Sequence, residues 1–211
     1  MARPVNANPD QTRARILAIA TRRFGDEGAK ASSREVAREA GVSLATVHYH
    51  FGSKQGLHDA CVAAMDQAFA GLRAELATLP ASGSALPELI EAAVRRCYRF
   101  ALEHRAGVRL TTRAAIDSGS IDPARQAGLL IPGLSEGAEL LSALTGAPLE
   151  PLRLTLRSVS YLVVRYALTD GAELALALGR ETEDSSALEA AVEDHLVFVA
   201  RSLIAGLGAT S

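Results

Sequence analysis

The sequence has no tryptophan, four tyrosines and five phenylalanines in 211 residues. An interior of this chain must therefore be filled by aliphatic side chains. Cysteine is scarce too. Cys61 and Cys97 lie far apart, fit neither a metal site nor a disulfide framework, and suit a reducing cytoplasm. No apolar run approaches the length of about 18 residues that a membrane span needs, so no membrane partner is expected. The opening MARPVNANPD lacks an apolar signal core, and no targeting segment is expected. Also missing are G-x-S-x-G, H-E-x-x-H, a phosphate-cradling glycine loop and C-x-x-C. His104 and His195 are isolated. No catalytic site, metal or cofactor is expected.

Hydrophobic residues make up 48% of the chain, much of it alanine and leucine. These are strong helix formers, and β-branched alternation is scarce, so the fold is read as all-α. Ile16, Ala20 and Phe24 recur at helical spacing over Asp10 to Gly28. In SSREVAREAG, Ser32 and Glu35 read as a capping box of a second, short helix that Gly41 ends. Ser43 caps a third helix from Leu44 to about His50. Ser53 caps a fourth that runs from Lys54 towards Leu79. Loops at 79–87, 117–123, 144–151 and 178–186 separate further helical stretches near 87–104, 106–116, 124–144, 152–177 and 187–206.

Net charge is −2, yet residues 1–60 hold nine basic against six acidic residues and 61–211 hold 13 against 18. A basic head on an acidic body suggests a polyanion partner for the head. Within the head, residues 32–51 have helix-turn-helix spacing. Ala40 and Gly41 let the two helices approach, and Val36, Val42, Val47 and Phe51 can bury against Ile16, Ala20 and Phe24. The second of these helices then keeps a free face of Leu44, Ala45, His48 and Tyr49, with Thr46 in its first turn. A protruding helix of this kind fits the major groove of double-stranded DNA. Taken singly, Thr46 can be a local capping hydroxyl, and His50 and Tyr49 can be packing residues. Together, at this spacing, they favour DNA. His48 and His50 do not make a metal pair, because positions i and i+2 point to different sides of a helix. Arg3 in the leading tail is a basic residue that a minor groove could take.

The segment TRARILAIATRRFGDEGAKASSREVAREAGVSLATVHYHFGSKQGL resembles the N-terminal domain of TetR/AcrR-family transcriptional regulators. The run G-V-S-x-x-T-V-x-Y-H-F-x-S-K carries the resemblance. It implies a helix-turn-helix three-helix DNA-binding domain over 10–53 and a helical-bundle regulatory domain over 54–206 for effector binding and dimerisation. It also implies a ligand-released repressor that binds a palindromic operator as a homodimer, in the bacterial cytoplasm at the nucleoid. Ser32, Thr46, Tyr49 and Lys54 would contact phosphate, with Ser43 beside them. Leu44, Ala45 and His48 would face bases, and His50 would reach either the backbone or the core. The family more often has tyrosine at position 48 and glutamate at 55. Lys54 has its own argument: it is one of two lysines among 22 basic residues, placed where a fourth helix begins and its free amides favour phosphate.

The body is less legible. Helix 152–169 is apolar nearly all round and should be buried, yet it holds Arg157, Tyr161 and Arg165 at i, i+4 and i+8. Neither arginine has an acid three or four residues away, and Arg109 has Arg105 and Arg113 there. Buried guanidinium groups need partners. One answer is a carboxylate from another helix: Glu91, Glu136, Glu139 or Asp194. The other is a small-molecule effector, an apolar acid, held by Arg109, Arg113, Arg157 or Arg165 and lined by Tyr98, Phe100, Tyr161 and Tyr166. Dimerisation is expected through the last two long helices, near 152–169 and 187–205, with Leu188, Val192, Leu196 (or Val199) and Leu203 recurring along the second. The alternative is that the stripe only closes the monomer core, which takes some of it in any case. A regulator controlled by protein contact, and a helical-bundle enzyme, are the alternatives.

Overall fold

A computed structural model gives the structure of the chain; it describes residues 9–117, 119, 123–180 and 184–208. Arg3 lies outside them. The described residues form helices and no strand. These are α1 (Pro9–Glu27), α2 (Ser33–Glu39), α3 (Leu44–Phe51), α4 (Lys54–Thr78), α5 (Leu86–Glu103), α6 (Arg105–Asp117), the single turn α7 (Pro123–Arg125), α8 (Ile131–Thr145), α9 (Leu149–Leu168), α10 (Gly171–Ala177) and α11 (Ser185–Gly208). No helix of the described residues is long and apolar enough to cross a membrane. Both cysteines are free thiols.

The helices form two compact units, residues 1–68 with 106–121 and residues 69–105 with 122–211. Packing thus groups 54–68 and 106–117 with the helices before them, so the compact units do not follow the division expected at residue 53. The core of the first unit is Ile16, Ala20, Phe24, Val36, Val47, Leu57, Cys61 and Leu110, with Val42 and Phe51 partly buried against it. The apolar spacing of α1 and the two short helices therefore does what it predicts. In the second unit, α11 packs on α5 and α9, and α8 on α9. Tyr98, Leu152, Leu188 and Leu196 are fully buried there.

Three expectations need correction. The stretch 152–177 is two helices, not one. Thr169 is extended and Asp170 caps α10, its carboxylate accepting from the Ala172 amide at 2.9 Å. The stretch 124–144 is interrupted by a wider π-type turn at Gln126–Leu130 before α8. Pro132 has no N–H for the carbonyl of Gly128 four residues back, which favours such a slip of the ladder. Gly41 is not needed for close approach, since a Cβ there would meet nothing within 4 Å. Its φ of +63° is what calls for glycine, as left-handed backbone turns the chain from α2 into α3.

Candidate nucleic-acid interface

The local chemistry of α3 fixes how it is presented. Ser43 is extended at the N-cap, and its Oγ accepts from the Thr46 amide at 3.0 Å. The Ser43 and Thr46 hydroxyls share a further hydrogen bond of 2.9 Å. At the other end Gly52, with φ +73°, stops the helix and donates to the His48 carbonyl at 2.7 Å. Val47 is the inner anchor at 1% exposure. Phe51 packs beside it, with the Arg13 guanidinium 5.3 Å above its ring.

What remains outside is the expected face. Ala45 and His48 are exposed, Leu44 and Thr46 are half-buried, and Tyr49 is 85% exposed, which rules out a core role for its ring. His50 is half-buried, its ring 5.2 Å from that of Tyr49 and 6.1 Å from that of Phe51. Ser53 caps α4 as read: its Oγ accepts from the Gly56 amide at 3.0 Å and its carbonyl from Leu57 at 2.9 Å. Lys54, exposed in the first turn, donates from Nζ to the Ala29 carbonyl at 2.6 Å.

The capping box at Ser32 does not form. Ser32 occupies the N-cap of α2, but its side chain makes no capping hydrogen bond. Glu35 instead accepts from Arg23 at 2.9 Å. A charge-assisted pair with a guanidinium outweighs a bond to one backbone amide. Arg23 also binds Glu27 at 2.5 Å and Glu39 at 3.2 Å, and Arg22 pairs with Glu39 as well. Hydrogen bonds from Arg22 first, and from Arg23, hold the Glu39 carboxyl below the usual carboxylate range. Two of the basic residues that made the head look cationic are thus neutralised between α1 and α2. Among the described residues, no ion pair engages Lys30, Arg34 or Arg38. The last two sit exposed on α2. The motif reading passed over them, although two arginines at i and i+4 were the available signal.

The residues expected to hold an effector are divided between the two units. Arg109 and Arg113 belong to the first unit, and Tyr98, Phe100, Arg157, Tyr161, Arg165 and Tyr166 to the second. Arg109 pairs with Asp26 of α1 at 2.5 Å, and the Arg113 side chain packs on Gly28. Arg165 is exposed and pairs with Glu173 at 2.7 Å, beyond the break that separates α9 from α10. Arg157 donates to the Tyr161 hydroxyl at 2.7 Å. Tyr161 is 57% and Leu154 62% exposed, so this side of α9 is open and not buried. The Tyr166 ring meets that of His195 edge-on at 5.9 Å, while Tyr98 and Phe100 are core residues. The acids considered as partners pair elsewhere. Glu91 binds Arg95 and Arg201, Asp194 binds Arg95, Glu136 binds Arg73 and Glu139 binds Arg153.

Residues 16–61 match the family model described as bacterial regulatory proteins of the tetR family. The chain is 40% identical over 52 residues, 25% of its length and 23% of the relative's, to the HTH-type transcriptional dual regulator CecR of Shigella flexneri. It thus spans about a quarter of the length of the curated relatives it matches. Its fold is similar along most of its length to that of solved structures. A TetR-like transcriptional regulator from Rhodococcus sp. RHA1 superposes with a TM-score of 0.67 at 21% identity, covering 97% of this chain and 100% of that one. A TetR variant of Acinetobacter baumannii AYE in complex with minocycline gives 0.51 at 21% identity, covering 90% and 93%.

Proposed function

We propose that this chain, a TetR-family protein by its N-terminal segment, is a non-enzymatic transcriptional regulator that reads a palindromic operator as a dimer. The observation that carries the reading is α3: clamped from inside by Val47 and bare outside at Ala45, His48 and Tyr49. A helix held by one face and presenting hydrogen-bonding groups on the other enters a major groove, with its first residues on base edges. In this reading Leu44, Ala45 and His48 face bases. Ser32, Ser43, Thr46, Tyr49 and Lys54 lie along the phosphates, and His50 braces Tyr49. Residues 10–53 are the reading head and 54–206 the body for effector binding and dimerisation. Two heads in successive major grooves place their α3 helices about 34–36 Å apart.

The body's role is effector control, with repression relieved when a small apolar molecule binds. The minocycline-bound structure that shares this fold supports a ligand-binding body. Such a molecule acts only through a difference in affinity between the operator-bound and released states. An arginine clamp for an acid gains no support, because Arg109 and Arg165 already have carboxylate partners. Selection of bound sequences from random duplexes by the full chain tests the function directly. An enriched inverted repeat is expected, and its absence overturns the reading.

A further inference from the structure

The eight residues of α3, Leu-Ala-Thr-Val-His-Tyr-His-Phe, contain no arginine, lysine, asparagine, glutamine, aspartate or glutamate. Arginine and lysine are the side chains that take both guanine O6 and N7. Asparagine and glutamine take adenine N6 and N7, and the carboxylates accept from cytosine N4. Helix α3 can therefore form none of these contacts. Arg34 and Arg38 can reach DNA only as contacts of α2, and supply no such group to α3.

At its base-facing positions α3 presents mostly alkyl groups, since Tyr49, although 85% exposed, lies along the phosphates in this reading. Leu44, Ala45 and His48 lie within one helical turn, Leu44 and Ala45 being four and three residues before His48, so they share a face. The hydroxyls beside them are engaged with each other, Ser43 Oγ taking the Thr46 amide and pairing with the Thr46 hydroxyl. A neutral imidazole has one N–H donor and one acceptor. One donated bond to purine N7, which adenine and guanine share, separates purine from pyrimidine and nothing finer. The remaining feature on the floor of the major groove that an alkyl side chain recognises is the C5 methyl group of thymine.

We infer that α3 reads its half-site through thymine methyl groups seated against Leu44 and Ala45, with His48 on an adjoining purine. The inference rests on the DNA-binding reading above and names what that face selects. Burial of a single methyl group changes affinity about fourfold. The same logic extends to a modified base. A cytosine methylated at C5 places its methyl at the same position in the groove, so an α3 of this composition accepts 5-methylcytosine better than cytosine.

The test uses the full chain and the duplex obtained by random-site selection. Each thymine is replaced singly by deoxyuridine, which removes the methyl and keeps every hydrogen-bonding group, and affinities are compared at fixed salt. At least one thymine in each half-site should show a loss of about fourfold. At that position 5-methylcytosine·guanine should be bound better than cytosine·guanine by a similar factor. Leu44→Ala should erase the thymine–deoxyuridine difference at one such position and keep the others. Should that variant fail to fold, the series on the unaltered protein decides alone. Tight, selective binding that is indifferent to deoxyuridine at every thymine overturns the inference and leaves the DNA-binding reading standing. An equal loss at every thymine, outside the half-sites as well as inside, also overturns it, because that reports duplex stiffness and not a contact. No selective binding of any duplex overturns the DNA-binding reading, and the inference falls with it.

Discussion

The Lys54 ammonium has three N–H groups and gives one to the Ala29 carbonyl. The other two are free to meet a phosphate without breaking that bond, so one side chain can tie the entrance of α2 to the start of α4 and still contact DNA. Lys54→Ala should weaken binding to operator and random DNA alike and lower the slope of log affinity against log salt by about one unit. His48→Ala should instead alter which bases are preferred. Equal effects of the two changes on discrimination would refute this division. At this scale the exposed face of α3 was legible from the sequence, while the ion pairs of Glu35 and Glu39 in the head and those of the body were not, for one reason. The exposed positions His48 and Tyr49 stand three and four residues after Ala45 on α3, so spacing reveals that face. The partners of the body's arginines do not obey spacing. Asp26 stands 83 residues from Arg109, and Glu173 pairs with Arg165 only because the chain breaks helix at Thr169.

Helix α1 meets α6 along a seam with no room to spare. A Cβ on Gly25 would lie 3.0 Å from the Ala106 carbonyl oxygen and 3.3 Å from the Leu110 nitrogen, both backbone atoms that cannot rotate aside. Gly25→Ala should gain helix propensity yet lose about 1–3 kcal/mol to overpacking, read as a lower midpoint in urea. A variant as stable as the parent would mean that the seam relaxes freely. Beside the apolar core that α1 and α2 share, the two helices are also joined by ion pairs. Arg22 and Arg23 hold the Glu39 carboxyl below its ordinary range. A carboxylate with a lowered value in the folded state contributes stability above its unfolded value and loses it as pH falls through the folded one. The melting temperature should therefore hold through neutral pH and fall once pH drops below about 4. Glu39→Gln should flatten that fall, and an unchanged acid limb would remove Glu39 from the account. Apolar period and caps made most helix positions readable in advance. The breaks at 126–130 and 169–170 were missed because the apolar pattern runs on through them, although Pro132 and Asp170 were the signals.

The proposed dimer needs apolar surface that the chain's own core leaves over. Along α11 the stripe Leu188, Val192 and Leu196 looked available for a partner, but all three lie in the core of the second unit, at 4% exposure or less. The same helix nevertheless leaves Phe198 67% and Leu203 43% exposed. Helix α9, packed against it, leaves Leu154 and Tyr161 out in the same way. Large apolar side chains on two adjoining helices mark an association surface when they collect on one protein. For the proposed dimer, Leu154, Tyr161, Phe198 and Leu203 are the exposed candidates, and of the stripe that the sequence displays only Leu203 is among them. Phe198 is the sharpest probe. It is exposed, so Phe198→Asp should cost the fold little, whereas a carboxylate set into an apolar contact between two chains loses its hydration. In sedimentation at micromolar concentration the parent should be a dimer and the variant should shift towards monomer. The variant's affinity for the inverted repeat should fall towards that for an isolated half-site, while its half-site affinity stays at the parental level, since α3 is untouched. A monomeric parent, or a variant that remains dimeric and binds the repeat as the parent does, rejects this surface as the one that joins the two heads.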